Sequence, residues 1–240
     1  LQESVRSLKM TYKQLTQWYL FRILKHESNN NLALHAIIDI NPKAVEQAQQ
    51  LDIHEGNHAI YGMPIMLKDN INTLDVPTTA GTHVLKDNQT EDAFIVKQMK
   101  MHGAIILGKL NLSEWAYFLC SGCPLGYSAI GGQTLNPYGR KIFETGGSSA
   151  GSGVAIAANY AAAAVGTETS GSILSPSSQN SVVGMKPTVG KLSRSGIVPI
   201  SSTLDTPGPM TKNVIDNAIL LSAMMGKDLS DSYSKKADQN

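Results

Sequence analysis

The run "VAIAANYAAAAV" (154–165) is the longest stretch of small apolar residues in the chain. It is too short to span a bilayer and carries Asn159 and Tyr160, so it belongs in a protein core. Small side chains let backbones come close. The first part therefore reads as a helix packed tightly against a neighbour, and the second as a buried strand. Just before it stands "ETGGSSAGSG" (144–153), whose composition is that of a flexible linker. A linker joins self-contained units, whereas this run leads straight into a patterned helix–strand unit. Glycines clustered at a helix start point instead to close backbone approach or unusual dihedrals.

The flanking sequence extends this pattern. Thr11-Tyr-Lys-Gln14 is a capping box, and Leu15, Trp18, Tyr19 and Ile23 follow at helical spacing, predicting an amphipathic helix to about Glu27. "HAIIDI" (35–40) predicts a strand, after which Asn41-Pro42 supplies an N-cap and an N1 proline for a helix through Leu51. "YGMPIMLKDNI" opens as an apolar strand and ends in charge at Lys68 and Asp69. A helix near 91–102 leads through Gly103 into the strand "AIILGKL". "SVVGMKPTVGKLSRSGIVP" reads as loop and strand, and the last helix, "NVIDNAILLSAMMG", ends at Gly226 as a C′ glycine. Short apolar strands alternating with amphipathic helices predict an α/β fold with a mixed, largely parallel central sheet flanked by helices. The expected division is one domain over 1–226 and a frayed polar tail over 227–240.

With 42% hydrophobic and 16% charged residues, the 240-residue chain can build one sizeable core or two small ones. A net charge of +1 leaves no electrostatic footprint for nucleic acid or an acidic membrane, and 6% aromatics leave little for base stacking. No membrane span or secretory signal is visible, so the cytoplasm is the default expectation. Because the chain opens with Leu1 rather than Met, a missing upstream piece is also expected. Cys120 and Cys123 form C-x-x-C, which raises a redox pair or half a zinc site. The surrounding "FLCSGCPLGY" lacks the strand-to-helix setting of thioredoxins, and His83 and His102 form no paired motif. Two reduced thiols are the expectation.

Several serine motifs compete. Gly147-Ser-Ser-Ala-Gly151 fits the G-x-S-x-G elbow with Ser149 as nucleophile. That elbow needs an entering strand, but "NPYGRKIFETGG" is loop-like, and all six histidines lie at or before position 102. The Ser, Asp/Glu, His order is therefore impossible within the chain, and no motif supports a reversed order. Gly184 to Gly190-Lys191 has one residue too many for a phosphate loop, and Ser232-Tyr-Ser-Lys235 lies in the polar tail without partner motifs. A serine nucleophile without histidine can use a lysine base. Lys68 ends an apolar strand, although a surface lysine paired with Asp69 is the blander reading. What shifts the weight is "GTETSGSILSP" (166–176), where a serine after a Gly-rich turn can meet several backbone N–H groups pointing one way.

Taken together, "GMPIMLKDNI" with "PTTAGT", "GAIILGKLNLSEWA", "GGQTLNPYG", "TGGSSAGSG", "GTETSGSILSPSSQNSVVGMKPTVG" and "GPMTKNV" resemble the amidase signature family. They stand in family order and cover the chain to about Gly226. The resemblance implies an amide hydrolase with Ser172 as nucleophile, Ser148 as a bridging serine after a cis peptide bond, and Lys68 as base. It also implies an oxyanion hole from the amides of Thr169, Ser170, Gly171 and Ser172, a supporting role for Ser149, and no metal or cofactor. The base must be neutral, and burial lowers a lysine pKa from its ordinary value of about 10.4. The implied partner is a small-molecule amide. Ser170 departs from the family's frequent Gly or Asp. Family members are also about twice as long, so a missing C-terminal half, a second chain or another copy of this chain is expected. Two alternatives stand beside the amidase: the glutaminase subunit of a tRNA-dependent amidotransferase, whose usual run is Asp-Thr-Gly-Gly-Ser, and an inactive truncated member.

Overall fold

A computed structural model describes residues 1–7, 9–54 and 56–234. Helices α1 (Gln2–Arg6) and α2 (Tyr12–Glu27) lead to β1 (Ile37–Ile40), α3 (Ala44–Leu51) and β2 (Pro64–Lys68). Next come α4 (Phe94–Met101), β3 (Ile105–Leu110) and the small hairpin β4 (Tyr127–Ser128) and β5 (Gly132–Gln133). The second half holds α5 (Ala150–Ala157), β6 (Ala163–Glu168), α6 (Leu174–Gln179), β7 (Val183–Gly184), β8 (Thr206–Thr211) and α7 (Val214–Met224). The main sheet has the order β1-β3-β2-β6-β8-β7. Strands β3, β2 and β6 are parallel neighbours, while β1 pairs antiparallel with β3, β8 with β6, and β7 with β8. This is the expected mixed α/β sheet with a parallel centre.

The three central strands are buried along their whole length, which is why they read as continuous apolar runs rather than alternating ones. Helix α5 packs on β2, β3, β6 and β8, α2 on α3 and β2, and α7 on β8, β7 and α4. Every residue of α5 from Ala150 to Ile156 is buried. A Cβ on Gly151 would lie 2.4 Å from the Asn111 carbonyl oxygen, so glycine there lets the helix close on the loop after β3. Because β2 and β6 are parallel, with Leu67 paired to Val165, Lys68 and Glu168 emerge at the same sheet edge. The carboxyl ends of parallel strands are where open α/β sheets form ligand crevices.

The capping box at Thr11 is present in both directions. Other expectations are corrected. Helix α3 starts at Ala44 with Lys43 as cap. Asn41 instead accepts the Lys43 N–H at 2.9 Å and donates to the Ile106 carbonyl at 2.8 Å, tying the turn to the sheet. Helix α4 starts at Phe94, because Asp92 is engaged with Lys100 and Thr73 outside it. Gly226 is not a left-handed C′ residue, since α7 ends at Met224 and its cap Met225 is already in extended backbone. A Cβ there would meet Phe94 and Gln98 at 3.0–3.1 Å, so close approach is what favours glycine.

Over 227–234 the expected frayed tail is packed, with Asp228, Asp231 and Ser234 buried, while 235–240 lie outside the described residues. Cys120 and Cys123, expected as free thiols, form a disulfide; the loop brings their Cα atoms to 5.8 Å, inside the range such a bridge spans. Strand β8 has no counterpart in the sequence reading, because Pro207 and Pro209 argue against a strand. The Pro209 carbonyl accepts the Met185 N–H, so the missing proline donors face the β7 side. Strand β7 pairs only opposite Met210 and Thr211, and the ladder to β6 keeps its donors. Among the described residues no helix is long and apolar enough to cross a membrane.

Candidate active site

Lys68 is fully buried at the end of β2, and its Nζ donates to Ser148 Oγ at 2.6 Å, Thr167 Oγ1 at 3.0 Å and the Thr167 carbonyl at 3.2 Å. Asn70 donates to the same Thr167 hydroxyl at 2.9 Å. Taking an ammonium out of water costs several kcal/mol. Burial pushes Lys68 down to about 7, against the opposing pull of Glu168 and Asp205. Lys68 does not pair with Asp69. That carboxylate takes the other buried lysine, Lys109, at 3.0 Å, and accepts the Thr79 amide and hydroxyl. A cation of its own on Asp69 leaves Lys68 free to face the serines.

Ser148 is buried and follows a cis peptide bond from Gly147. Its carbonyl accepts the Ser113 N–H at 3.0 Å. Ser149, the serine of the apparent elbow, is buried and turned to β6: its hydroxyl donates to the Thr167 carbonyl at 3.1 Å and accepts the Thr167 N–H at 3.3 Å. The Ser149 amide donates to the Ser172 carbonyl at 3.0 Å, which ties the start of α5 to the 169–172 loop. Ser172 itself is half-buried. Among the described residues its hydroxyl has no hydrogen-bond partner, so Lys68 and Ser148 are joined directly, and Ser172 is tied to the start of α5 through the Ser149–Ser172 backbone bond.

The loop bearing Ser172 turns through Gly171 at φ +84°. Glu168, buried at the end of β6, accepts the amides of Gly171 at 2.8 Å, Ile173 at 2.8 Å and Leu174 at 2.9 Å. The expected four-amide set is therefore reduced, because the Gly171 N–H is taken by this carboxylate. Thr169 is half-buried and Ser170 exposed. The Thr169 hydroxyl donates to Asp205, whose other oxygen accepts the amides of Ile200 and Ser201 at 2.7 and 2.8 Å. Lys186 donates to the Thr169 carbonyl at 2.6 Å and lies 3.8 Å from Glu168. Beside this loop opens a cavity of about 340 Å³, bordered by Asn70, Thr167, Thr169, Ile197, Ile200 and Asp205.

Thr167, Glu168, Asp205 and Lys186 were not singled out in the sequence. The one available signal was Glu168, an acid at the end of an otherwise uncharged apolar run. The Ser232-Tyr-Ser-Lys235 match ends outside the described residues.

At the carboxyl ends of its central strands, this α/β fold thus holds a buried lysine against a buried serine. The chain belongs to the amidase family, whose model matches residues 14–240. It is 44% identical over 239 residues to a probable amidase of Arabidopsis thaliana, covering 96% of this chain and 46% of that relative. A glutamyl-tRNA(Gln) amidotransferase subunit from Lawsonia intracellularis is 38% identical, over 98% of this chain and 47% of its own length. Among solved structures, an amidase family protein from Bacillus anthracis superposes with a TM-score of 0.96 at 47% identity, covering 100% of this chain and 48% of that one. Native peptide amidase from Stenotrophomonas maltophilia superposes with a TM-score of 0.94 at 43% identity, covering 98% of this chain and 48% of that one. The chain thus spans about half the length of the proteins it matches.

Proposed function

We propose that the protein hydrolyses carboxamides through an acyl-enzyme on Ser172, with Ser148 as proton relay and Lys68 as base. The observation that carries this is the 2.6 Å hydrogen bond between Lys68 Nζ and Ser148 Oγ in a fully buried setting, with Lys68 held near 7. Neutral Lys68 takes the Ser148 proton as Ser148 takes that of Ser172, and the Ser172 oxygen bonds to the amide carbon. The amides of Thr169 and Ser170, with that of Ser172, meet the negative charge developing on the carbonyl oxygen. Gly171 contributes by its turn, since its amide is committed to Glu168. When the C–N bond breaks, the relay runs backward: Ser148 protonates the leaving nitrogen and recovers its proton from Lys68. Water then attacks the ester by the same relay, releasing the carboxylic acid and freeing Ser172. No step calls on a metal or organic cofactor.

A second reading, the glutaminase component of an amidotransferase, is supported by the relatives of that name. The run Glu168-Thr-Ser-Gly-Ser172 favours the amidase, and stable co-purification with a second protein chain would favour the transferase. The decisive experiment is labelling of the intact native protein with a serine-directed fluorophosphonate. Wild type is expected to take up one label, and folded Ser172→Ala none. Equal labelling of the two would remove Ser172 as the nucleophile.

A further inference from the structure

We propose that the Cys120–Cys123 disulfide is a thiol-exchange site, and that its reduction by a dithiol loosens the seat of Ser148 and slows the chemistry there. Both cysteines are half-exposed on a loop whose neighbours Phe118 and Leu119 face solvent. A cavity of about 270 Å³ lies against the bridge, bordered by Ser113, Trp115, Tyr117, Cys120, Cys123 and Pro124. An attacking thiol therefore has both exposure and an approach.

What makes this bridge consequential is where the loop ends rest. At one end, the Ser113 amide donates to the Ser148 carbonyl at 3.0 Å. At the other, the Gly126 amide donates to the Ser113 hydroxyl at 2.8 Å. Between them, Ser113 Oγ and the Leu125 side chain press on Gly147, where an added Cβ would meet them at 2.7 and 3.1 Å. The Gly147–Ser148 peptide is thus seated on the two ends of the bridged loop. Inside it, Trp115, Ala116 and Tyr117 all hold left-handed backbone, at φ 53°, 53° and 72°. Residues other than glycine keep that conformation only where their surroundings hold them. The Tyr117 hydroxyl bond to the Cys123 carbonyl, 3.0 Å, links the turn directly to the bridge.

The chemistry balances with a dithiol as co-reactant. One of its thiolates attacks the sulfur of one cysteine, the S–S bond breaks, and the other cysteine departs as a thiolate and is protonated. The second thiol of the reductant then displaces the first cysteine from the mixed disulfide. Two electrons and two protons pass to the protein, and the dithiol becomes a disulfide.

The activity arm rests on the proposed roles of Ser148 and Ser172, so the test has two readouts. Hydrogen exchange of the intact native protein, oxidised and after dithiothreitol, is expected to quicken both in 113–126 and in 145–150. Acceleration confined to 118–124 would overturn the coupling. Fluorophosphonate labelling is expected to slow at least ~3-fold on reduction, since small misplacements of reacting groups are costly, and to recover on reoxidation. A Cys120→Ser/Cys123→Ser variant should sit at the slow rate and ignore dithiothreitol. Equal labelling rates in the two redox states overturn the proposal. Absence of labelling in both would count against Ser172 alone, with hydrogen exchange still deciding the switch.

Discussion

Lys68 shows how one residue's surroundings decide its chemistry. Burial lowers its pKa to about 7, while the carboxylates of Glu168 and Asp205 pull it upward. In its proposed role as base Lys68 works only when neutral, so kcat/KM is expected to fall as pH drops below about 7, approaching tenfold per pH unit. Glu168→Gln removes a charge that favours the ammonium, which should move this acid limb to lower pH. A limb that stays in place in that variant would separate Lys68 from the titration. Lys68→Met should lower kcat by about 10²–10⁴-fold, the usual worth of a positioned base, with the fold retained by circular dichroism. The neighbouring pair is structural by contrast. Lys109 and Asp69 are both fully buried, and removing one partner of such a pair costs about 3–5 kcal/mol.

At the scale of elements, the helix–strand unit built from α5 and β6 is flanked by Ser148 and Ser172 and supplies Thr167 and Glu168 beside them. Gly151→Ala would push a Cβ to 2.4 Å from the Asn111 backbone, so it is expected to cost about 1–3 kcal/mol by overpacking. The urea midpoint should fall; an unchanged midpoint would mean that α5 can slide away from the loop. This unit was legible because small residues without charge have few places to go but inside. The capped helix α2 was legible too, since Thr11 and Gln14 satisfy each other's backbone donors locally. Lys68, Ser148 and Ser172 were read mainly from the combination of motifs, and the structure joins the first two directly. What could not be read depended on how the chain turns in space rather than on residue pattern. Strand β8 hides behind prolines whose missing donors face the short β7. The role of Glu168 depends on the loop curling back over its carboxylate, and the Cys120–Cys123 bridge on a left-handed turn that no spacing announces.

For the molecule as a whole, the 228–234 segment closes the wall of the cavity beside the 169–172 loop by charge rather than by apolar packing. Arg194 donates to Asp231 from its backbone N, Nε and Nη2 at 2.8–2.9 Å, and lies 4.5 Å over the Tyr233 ring. Asp228 accepts the Ser193 hydroxyl at 2.6 Å. Hydrogen bonds from Arg194 hold Asp231 down to about 2. A carboxylate depressed by folding stabilises fully above its unfolded pKa, about 3.9, and that contribution fades as pH falls through the folded value. Wild type should therefore exceed Asp231→Asn in unfolding free energy by about 1.5–3 kcal/mol near neutrality, the range for charge-assisted hydrogen bonds. The gap should narrow from about pH 4 and be nearly gone at about pH 2. Parallel stability–pH curves over that window would show that Asp231 acts by shape alone. Since Asp231 lines the cavity but touches none of Lys68, Ser148 or Ser172, the variant should also raise KM more than it lowers kcat. An equal fall in kcat would mean that this wall positions the reacting groups as well as the substrate.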